Sequence, residues 1–190
     1  MKKLFNFLNF LKNSVPNCLN SIIKSDSDLL VLNIKISKLN FLEFFLKNNS
    51  LNQYKALLDI VSTDFLNMKY RFELNYYLLS YYLSYRVMLK VRLTDNIFPT
   101  LNSSSDIFKS ADWLEREIWD MMGIFFFNHK DLRRILTDYG FEGYPLRKDF
   151  PLSGYVEVRY CDEEKIVVVE ALEVTQEFRY FNFLSPWEKY

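Results

Sequence analysis

The sequence predicts an α+β fold with a mixed or antiparallel sheet and packed helices, followed by an extended C-terminal hairpin and tail. Apolar and polar residues alternate over residues 72–78 and again over 87–93, and this period of two is typical of half-buried strands. The two runs are joined near Ser84, which predicts an antiparallel hairpin. A helical apolar repeat follows at 111–122. Hairpins combined with separate helices indicate the α+β class.

The N-terminal part begins with an apolar repeat at helical spacing. Two lysines precede it, and within residues 1–12 the residues that share the spacing are Leu4, Phe7, Leu8 and Leu11. An import presequence and a first amphipathic helix both fit, and the absence of arginine favours the helix. Residues 29–36 and 57–62 are predicted to be strands. In the segment between them, Phe41, Phe44 and Phe45 recur at helical spacing, which predicts a helix with these three residues on one face.

The helix predicted at 111–122 has signals at both ends. Ser110 occupies the expected N-cap position, and Gly123 follows the last turn, where glycine commonly ends a helix. The apolar stripe of this helix consists of Leu114, Ile118, Met121 and Met122.

Four charged residues of the same helix lie around that stripe. Glu115 and Glu117 flank it, whereas Arg116 and Asp120 are placed on the opposite side. An unpaired buried carboxylate is unfavourable, so we expect a partly buried Glu117 with a cationic or hydrogen-bonding partner. Arg116 is expected to face away from the core.

The character of the chain changes after Phe127. All four glycines lie between positions 123 and 154, which predicts backbone with positive φ and little regular secondary structure. Residues 155–160 and 166–171 are predicted to form a hairpin with its turn at 161–165, and 178–190 an extended aromatic tail. We divide the chain into an α+β core with an N-terminal helix, residues 1–125, and an interface segment, hairpin and tail, residues 126–190.

Composition limits the classes of function. The 190 residues are 49% hydrophobic and 25% charged, enough to bury a sizeable core. Lys+Arg and Asp+Glu both total 24, so no net charge attracts nucleic acid or an anionic membrane surface. No apolar run approaches the ~20 residues that a membrane-spanning helix requires. Neither nucleic-acid binding nor a membrane span is therefore expected.

Few residues offer catalytic or metal-binding chemistry. Cys18 and Cys161 are too few to ligate an iron–sulfur cluster or to build a structural zinc site. His129, with Asp131 nearby, has the chemistry of an acid–base group or a metal ligand, because imidazole titrates near neutral pH. It lacks a second histidine, a cysteine pair or a nucleophile as a companion. We expect no catalytic, cofactor-binding or metal-binding residue in this chain.

A basic cluster is formed by Arg133, Arg134, Arg147 and Lys148. Acidic residues are interleaved with it and no glycine-rich phosphate loop is present, which argues against a phosphate or RNA site. A solvated face and a protein interface both fit. The interface is favoured, because guanidinium groups bind carboxylates with two parallel hydrogen bonds and an irregular segment can follow a partner's contour.

One stretch matches the signature of a known family. Its positions are Glu115, Arg116, Glu117, Asp120, His129, Arg133, Ile135 and Leu136. The match continues through residues 138–143, 145–151, 154–160 and 185–188, the last of which contains Trp187. On these residues the chain resembles the family of subunit 9, or thirty-kilodalton, subunits of NADH dehydrogenase (ubiquinone), respiratory complex I. The resemblance covers the second half strongly and is fainter before Phe108.

The resemblance implies a non-catalytic core subunit of the peripheral arm, on the matrix side of the mitochondrial inner membrane. Its partners would be the large quinone-site subunit and the cluster-bearing subunits, and FMN and iron–sulfur clusters would belong to those partners. The signature and basic residues listed above, together with Trp187, would contact them. The equivalent subunit of a plastid-type NAD(P)H dehydrogenase or of a membrane hydrogenase is the alternative. An independent soluble enzyme using His129 and the arginines is a further one.

Overall fold

The computed structural model describes residues 7, 9–11, 13–24, 29–93, 98–179 and 181. The chain forms two compact units, Met1–Asp149 and Phe150–Tyr190. The sequence placed a boundary after residue 125, whereas residues 126–149 belong to the first unit. They do so because hydrogen bonds tie them to the helix at 111–122, as detailed below.

A five-stranded sheet forms the centre of the first unit. Its strands are β1 (Leu19–Lys24), β2 (Leu30–Ile34), β3 (Ala56–Asp64), β4 (Phe72–Ser80) and β5 (Tyr85–Leu93), in the order β1-β2-β5-β4-β3. All neighbouring strands are antiparallel except β2 and β5, which are parallel. The predicted mixed sheet and the predicted hairpin of β4 and β5 are both confirmed.

Two helices and a small second sheet complete this unit. The helices are α1 (Leu39–Asn48) and α2 (Ala111–Met122), and the strands β6 (Thr100–Asn102) and β7 (Phe125–Phe127) pair in parallel. Short 3-10 helices occupy Pro16–Cys18 and Ile36–Lys38. At the N-terminus, residues 7, 9–11, 13 and 14 are helical, with Phe7 and Leu11 in the core. Leu4 and Leu8 of the predicted repeat lie outside the described residues.

The core follows from the alternation in β4. Phe72, Leu74, Tyr76 and Leu78 are completely buried, as are the facing apolar residues of β5. The helix α1 buries Leu39, Leu42 and Leu46. Of the predicted phenylalanine face, Phe41 and Phe44 are exposed and only Phe45 packs against the core.

Both ends of α2 lie where the sequence predicted, with Ser110 at the N-cap and Gly123 after the last turn, but the Ser110 side chain does not cap the helix. Gly123 has a φ of 70°, the left-handed conformation that ends a helix, and its N–H donates to the carbonyl oxygen of Trp119. Ser110 makes no capping hydrogen bond, because its hydroxyl donates to the carbonyl oxygen of Leu57. The other three glycines also have positive φ, and residues 128–154 contain no helix or strand, as predicted.

The second unit contains the predicted hairpin. Its strands are β8 (Val156–Cys161) and β9 (Ile166–Ala171), which pair antiparallel around a turn at 162–165. Most of the predicted tail, including Trp187, lies outside the described residues.

Candidate functional site

The candidate site is α2 together with the loop at residues 128–149. Three of the four charged signature residues of α2 are buried. Glu115 and Asp120 have no exposed surface, and Arg116 is 7% exposed. Glu117 is exposed. The predicted helix phase was therefore wrong for Glu117, Arg116 and Asp120. The reason is that the loop covers a second face of α2, so this helix is buried well beyond its apolar stripe.

Asp120 anchors one part of this loop. One carboxylate oxygen accepts hydrogen bonds from the backbone N–H groups of residues 135, 136 and 137, at 3.1, 2.6 and 3.0 Å. The other accepts the hydroxyl of Thr137 at 2.7 Å. Burial by itself raises the pKa of Asp120, but these hydrogen bonds outweigh it and hold the pKa below its ordinary value. The carboxylate therefore stays charged and fixes the loop.

Arg116 fixes the same loop from another position of α2. Its Nε donates to the carbonyl oxygen of Arg133 at 3.3 Å, and its guanidinium lies 4.8 Å from the centre of the Trp113 ring. The side chain of Arg133 is 70% exposed and pairs with Asp131 at 3.0 Å. Of these two signature arginines, Arg116 is thus structural and Arg133 is presented to the surroundings.

Glu115 lies on the core side of α2. Its carboxylate accepts hydrogen bonds from the Ser103 hydroxyl at 2.5 Å and from the Ser104 backbone N–H at 2.7 Å. Burial raises the pKa of Glu115 to about 7, against the lowering effect of these two bonds. A carboxyl that titrates near neutral pH inside the protein is a feature that the sequence did not indicate.

His129 is a structural group in this arrangement. Its side chain is completely buried, and Nδ1 accepts a hydrogen bond from the N–H of Asp131 at 3.2 Å. Nε2 donates to the carbonyl oxygen of Asp112 at 3.1 Å, and it also lies 3.3 Å from the Asp112 carboxylate and 3.8 Å from the Glu115 carboxylate. Within the described part of the chain, no three His, Cys, Asp or Glu residues are placed to hold a metal ion.

The remaining basic residues divide into bound and exposed side chains. Arg134 donates to the carbonyl oxygen of Gly143 at 2.9 Å, and Arg147 donates to that of Met122 at 2.6 Å. Both guanidinium groups also lie over the ring of Tyr144, at 5.1 and 4.5 Å. Lys148 contributes only its backbone N–H, to Asp64 at 2.9 Å, and is exposed. The structure thus brings the basic residues to one loop without forming an open basic pocket.

Sequence reasoning missed a buried ion pair that holds the end of this loop. Arg71 binds both carboxylate oxygens of Asp64, at 2.8 and 3.0 Å, and also Asp149 at 2.9 Å. Burial by itself raises the pKa of Asp64, but Arg71 and the Lys148 N–H hold it below its ordinary value. Asp64 and Arg71 lie at the two ends of the connection between β3 and β4, and the pairing of these strands brings them together. No pattern in the sequence marks either residue as buried.

Comparison with known proteins decides the family. A family model described as "Respiratory-chain NADH dehydrogenase, 30 Kd subunit" matches residues 32–156, which is more than half of the chain. The chain belongs to this family. The matched segment contains α2, the loop at 128–149 and the whole signature from Glu115 to Leu136. The predicted resemblance to the 30 Kd subunit family is confirmed.

Individual relatives extend this result. The chain is 51% identical over 174 residues to NADH-ubiquinone oxidoreductase subunit 9 of Reclinomonas americana, covering 92% of this chain and 84% of the relative. It is 54% identical to NADH dehydrogenase [ubiquinone] iron-sulfur protein 3 of Solanum tuberosum over 145 residues, 76% of this chain and 75% of the relative. A chain in the structure of the membrane-bound sulfane sulfur reductase, an archaeal respiratory membrane complex, matches with a TM-score of 0.68. That match covers 79% of this 30 Kd family member and 86% of the other chain, at 22% identity, and shows a shared fold.

Proposed function

We propose that this member of the 30 Kd subunit family is a structural subunit of respiratory-chain NADH dehydrogenase, complex I, which joins neighbouring subunits and performs no chemistry itself. Its place in NADH:ubiquinone oxidoreductase rests on the family and on relatives that carry that enzyme's name. The structural role rests on one observation, the exposed apolar face of the β8–β9 hairpin.

The two faces of this hairpin differ in character, because one is apolar throughout and the other mixes charged residues with Val168 and Ile166. Paired residues of an antiparallel ladder lie on the same face, so one face carries Val156, Val158 and Tyr160 of β8 opposite Ala171, Val169 and Val167 of β9. All six are exposed, the valines between 52% and 65%. The other face carries the ion pair between Arg159 and Glu170, at 2.6 Å. We call these the apolar face and the charged face.

An isolated hairpin with an uncovered apolar face is unfavourable in water. Two strands alone are marginally stable, and contiguous exposed apolar surface of this kind marks a protein interaction site. Full burial of a valine-sized side chain contributes about 1.5–3 kcal/mol. Covering the exposed half of the four valines and Tyr160 therefore contributes at most about 4–8 kcal/mol. A partner that covers the apolar face therefore stabilises both the hairpin and the assembly.

The loop at 128–149 supplies a second surface. Tyr139 and Leu136 are 102% and 58% exposed, and the side chains of Arg133 and Lys148 in the same loop are exposed as well. Exposed aromatic and arginine side chains are the residue types enriched at interfaces. We assign to these two surfaces the large quinone-site subunit and the cluster-bearing subunits as partners, on the matrix side of the mitochondrial inner membrane. Among the described residues, no helix is long and apolar enough to span a membrane.

An iron–sulfur cluster does not fit this chain, although some relatives are named iron-sulfur proteins. Clusters are commonly held by four cysteine thiolates, and the whole sequence contains two cysteines. Cys18 is buried in the core of the first unit, and Cys161 lies at the end of β8 in the second. We therefore assign FMN and the clusters to other subunits of the complex.

Two adjacent positions on β9 test the docking of the apolar face. Val167 is on the apolar face and 63% exposed, whereas Ile166 is on the charged face and 52% exposed. A tagged chain carrying Val167→Lys should be lost from the native complex with NADH:quinone activity, and Ile166→Lys should be retained. Circular dichroism of both free chains should match the wild type.

Two results would contradict the proposal in different ways. Equal incorporation of both variants would remove the docking role of the apolar face. A wild-type chain found outside any complex with NADH:quinone activity would remove the assigned function.

A further inference from the structure

Four polar side chains meet inside the hydrophobic core of the first unit. They come from four different segments: Glu43 from α1, Tyr76 from β4, Ser104 from the loop after β6, and Glu115 from α2. Glu43, Ser104 and Glu115 each have 0% exposure, as does Tyr76. We call these four residues the buried cluster.

Most polar atoms of the buried cluster lack a direct partner. Neither carboxylate oxygen of Glu43 has a hydrogen bond among the described residues, and the same holds for the Tyr76 hydroxyl and the Ser104 hydroxyl. The Ser104 hydroxyl lies near Glu43, without the geometry of a direct hydrogen bond. Leaving such groups unsatisfied in a core is unfavourable by about 1–3 kcal/mol each. Something else must therefore satisfy these atoms in the native protein.

The charges around the buried cluster do not neutralise its two acids. Lys47, one turn along α1 from Glu43, donates to the carbonyl oxygen of Ile107. His129 lies 3.8 Å from the Glu115 carboxylate, but its Nε2 is closer to Asp112, at 3.1 Å from the carbonyl oxygen and 3.3 Å from the carboxylate. Asp112, the other charged neighbour of Glu115, is itself acidic and raises the pKa of Glu115. Among the described residues, Glu43 thus has no cationic side chain within ion-pair distance, and its charged neighbour in the cluster is another acid.

We propose that the buried cluster is a proton-binding site, in which Glu43 is a neutral carboxylic acid and an internal water molecule links it to Tyr76 and Ser104. A protonated Glu43 removes the unpaired charge. The carboxyl group and the two hydroxyls can each donate, but they make no direct hydrogen bonds to one another, whereas an internal water typically makes about three hydrogen bonds and can join them. Ser104, whose N–H binds Glu115, then connects the two acids.

The electrostatics of the two acids agree with this geometry. Burial raises the pKa of Glu43 to about 8, with the neighbouring Ser104 lowering it and the charge of Glu115 raising it further. Burial likewise raises the pKa of Tyr76 well above its ordinary value, which keeps the phenol neutral. Ionising either acid makes it harder to ionise the other, so they titrate as a pair.

Proton binding by Glu43 makes the stability of the free chain depend on pH. The unfolded chain releases this proton near pH 4.5 and the folded chain near pH 8. Between these values the folded state binds more protons than the unfolded state, so stability falls as pH rises. This direction is opposite to that of a carboxylate held in an ion pair. It does not depend on the assembly proposed above.

Thermal unfolding of the full chain between pH 6 and pH 9 tests the site. The wild-type Tm should fall by several degrees across this range. In Glu43→Gln the side chain is neutral at every pH, so the Tm should fall less, and the remaining fall should be the part due to Glu115. Glu117→Gln, on the exposed side of α2, should follow the wild type. Equal pH slopes for Glu43→Gln and the wild type would overturn the proposal.

Infrared spectroscopy tests the site even if Glu43→Gln fails to fold. The wild type and Glu115→Gln should both show the C=O stretch of a protonated carboxyl at pH 7, which disappears above pH 9 while the fold persists. The absence of this band at pH 7 would overturn the proposal. A density map of the assembled complex that resolves ordered water should show one between Glu43, Tyr76 and Ser104. An empty space there would overturn the water link.

Discussion

Replacing Asp120 by alanine should strongly destabilise the free chain. This buried carboxylate accepts three backbone N–H groups of the loop at 135–137 and the hydroxyl of Thr137, at distances between 2.6 and 3.1 Å. A hydrogen bond to a charged acceptor contributes about 1.5–3 kcal/mol. The four bonds share one acceptor group and the freed loop can turn toward water, so their contributions do not add. We expect a loss of about 3–4 kcal/mol in the free energy of unfolding.

Asp120→Asn should lose less, about 1–2 kcal/mol, because an amide oxygen still accepts the three N–H groups and the Thr137 hydroxyl can turn to accept. The pH dependence follows from the lowered pKa of Asp120. The charged carboxylate contributes its full stabilisation above the ordinary aspartate pKa. This stabilisation is lost as the pH falls through the pKa that Asp120 has in the folded state. The difference between the wild type and Asp120→Asn should therefore shrink in acid, below about pH 4.

Urea unfolding of the full chain, followed by circular dichroism, measures both variants. Glu117→Ala is the matched control, because Glu117 is an exposed acid on the same helix and its loss should change stability by less than about 0.5 kcal/mol. The reasoning is refuted if Asp120→Ala unfolds at the wild-type urea concentration, or if Glu117→Ala loses more stability than Asp120→Ala.

Three further outcomes are expected. Gly123→Ala should lower the free energy of unfolding by about 1–3 kcal/mol, because φ is 70° and a Cβ would lie 2.6 Å from both Arg147 and Tyr144; a thermal melt equal to wild type would contradict this. Arg133→Glu should leave the melt of the free chain unchanged but weaken pull-down of partner subunits, and normal pull-down would make Arg133 a solvated residue. The purified chain should show no flavin or iron–sulfur absorbance and should not oxidise NADH; stoichiometric iron or flavin would disprove the proposed role.

The strands with a clear period of two could be predicted from the sequence, and so could the apolar runs that form β2 and β3, whereas β1, β6 and β7 could not. β4 and β5 alternate because one face of each is buried throughout. β1 escaped prediction because Leu19–Lys24 contains no such alternation and lies at the sheet edge. β6 and β7 are three residues long and form by pairing with each other, although α2 separates them in the sequence. Such pairing is non-local and leaves no pattern in a short segment.

The site was predicted as a set of residues but not as an arrangement. The signature named Glu115, Arg116 and Asp120, yet the periodicity of α2 assigned Arg116 and Asp120 to the outside. An apolar stripe reveals only the face that packs on apolar side chains, whereas backbone N–H groups and carbonyl oxygens of the loop cover the second face. Glu43 was missed for a related reason, because a single acid between apolar helix residues gives no sign of its burial.

Hydrogen–deuterium exchange of the β8–β9 hairpin tests the central claim most directly, because it compares the same backbone in the free chain and in the assembled complex. The account predicts rapid exchange over Val156–Cys161 and Ile166–Ala171 in the free chain, since an uncovered two-stranded hairpin is marginally stable. It predicts strong protection of both strands in the complex, where a partner covers the apolar face. Equal exchange in the two states would contradict a structural role for this hairpin in joining subunits.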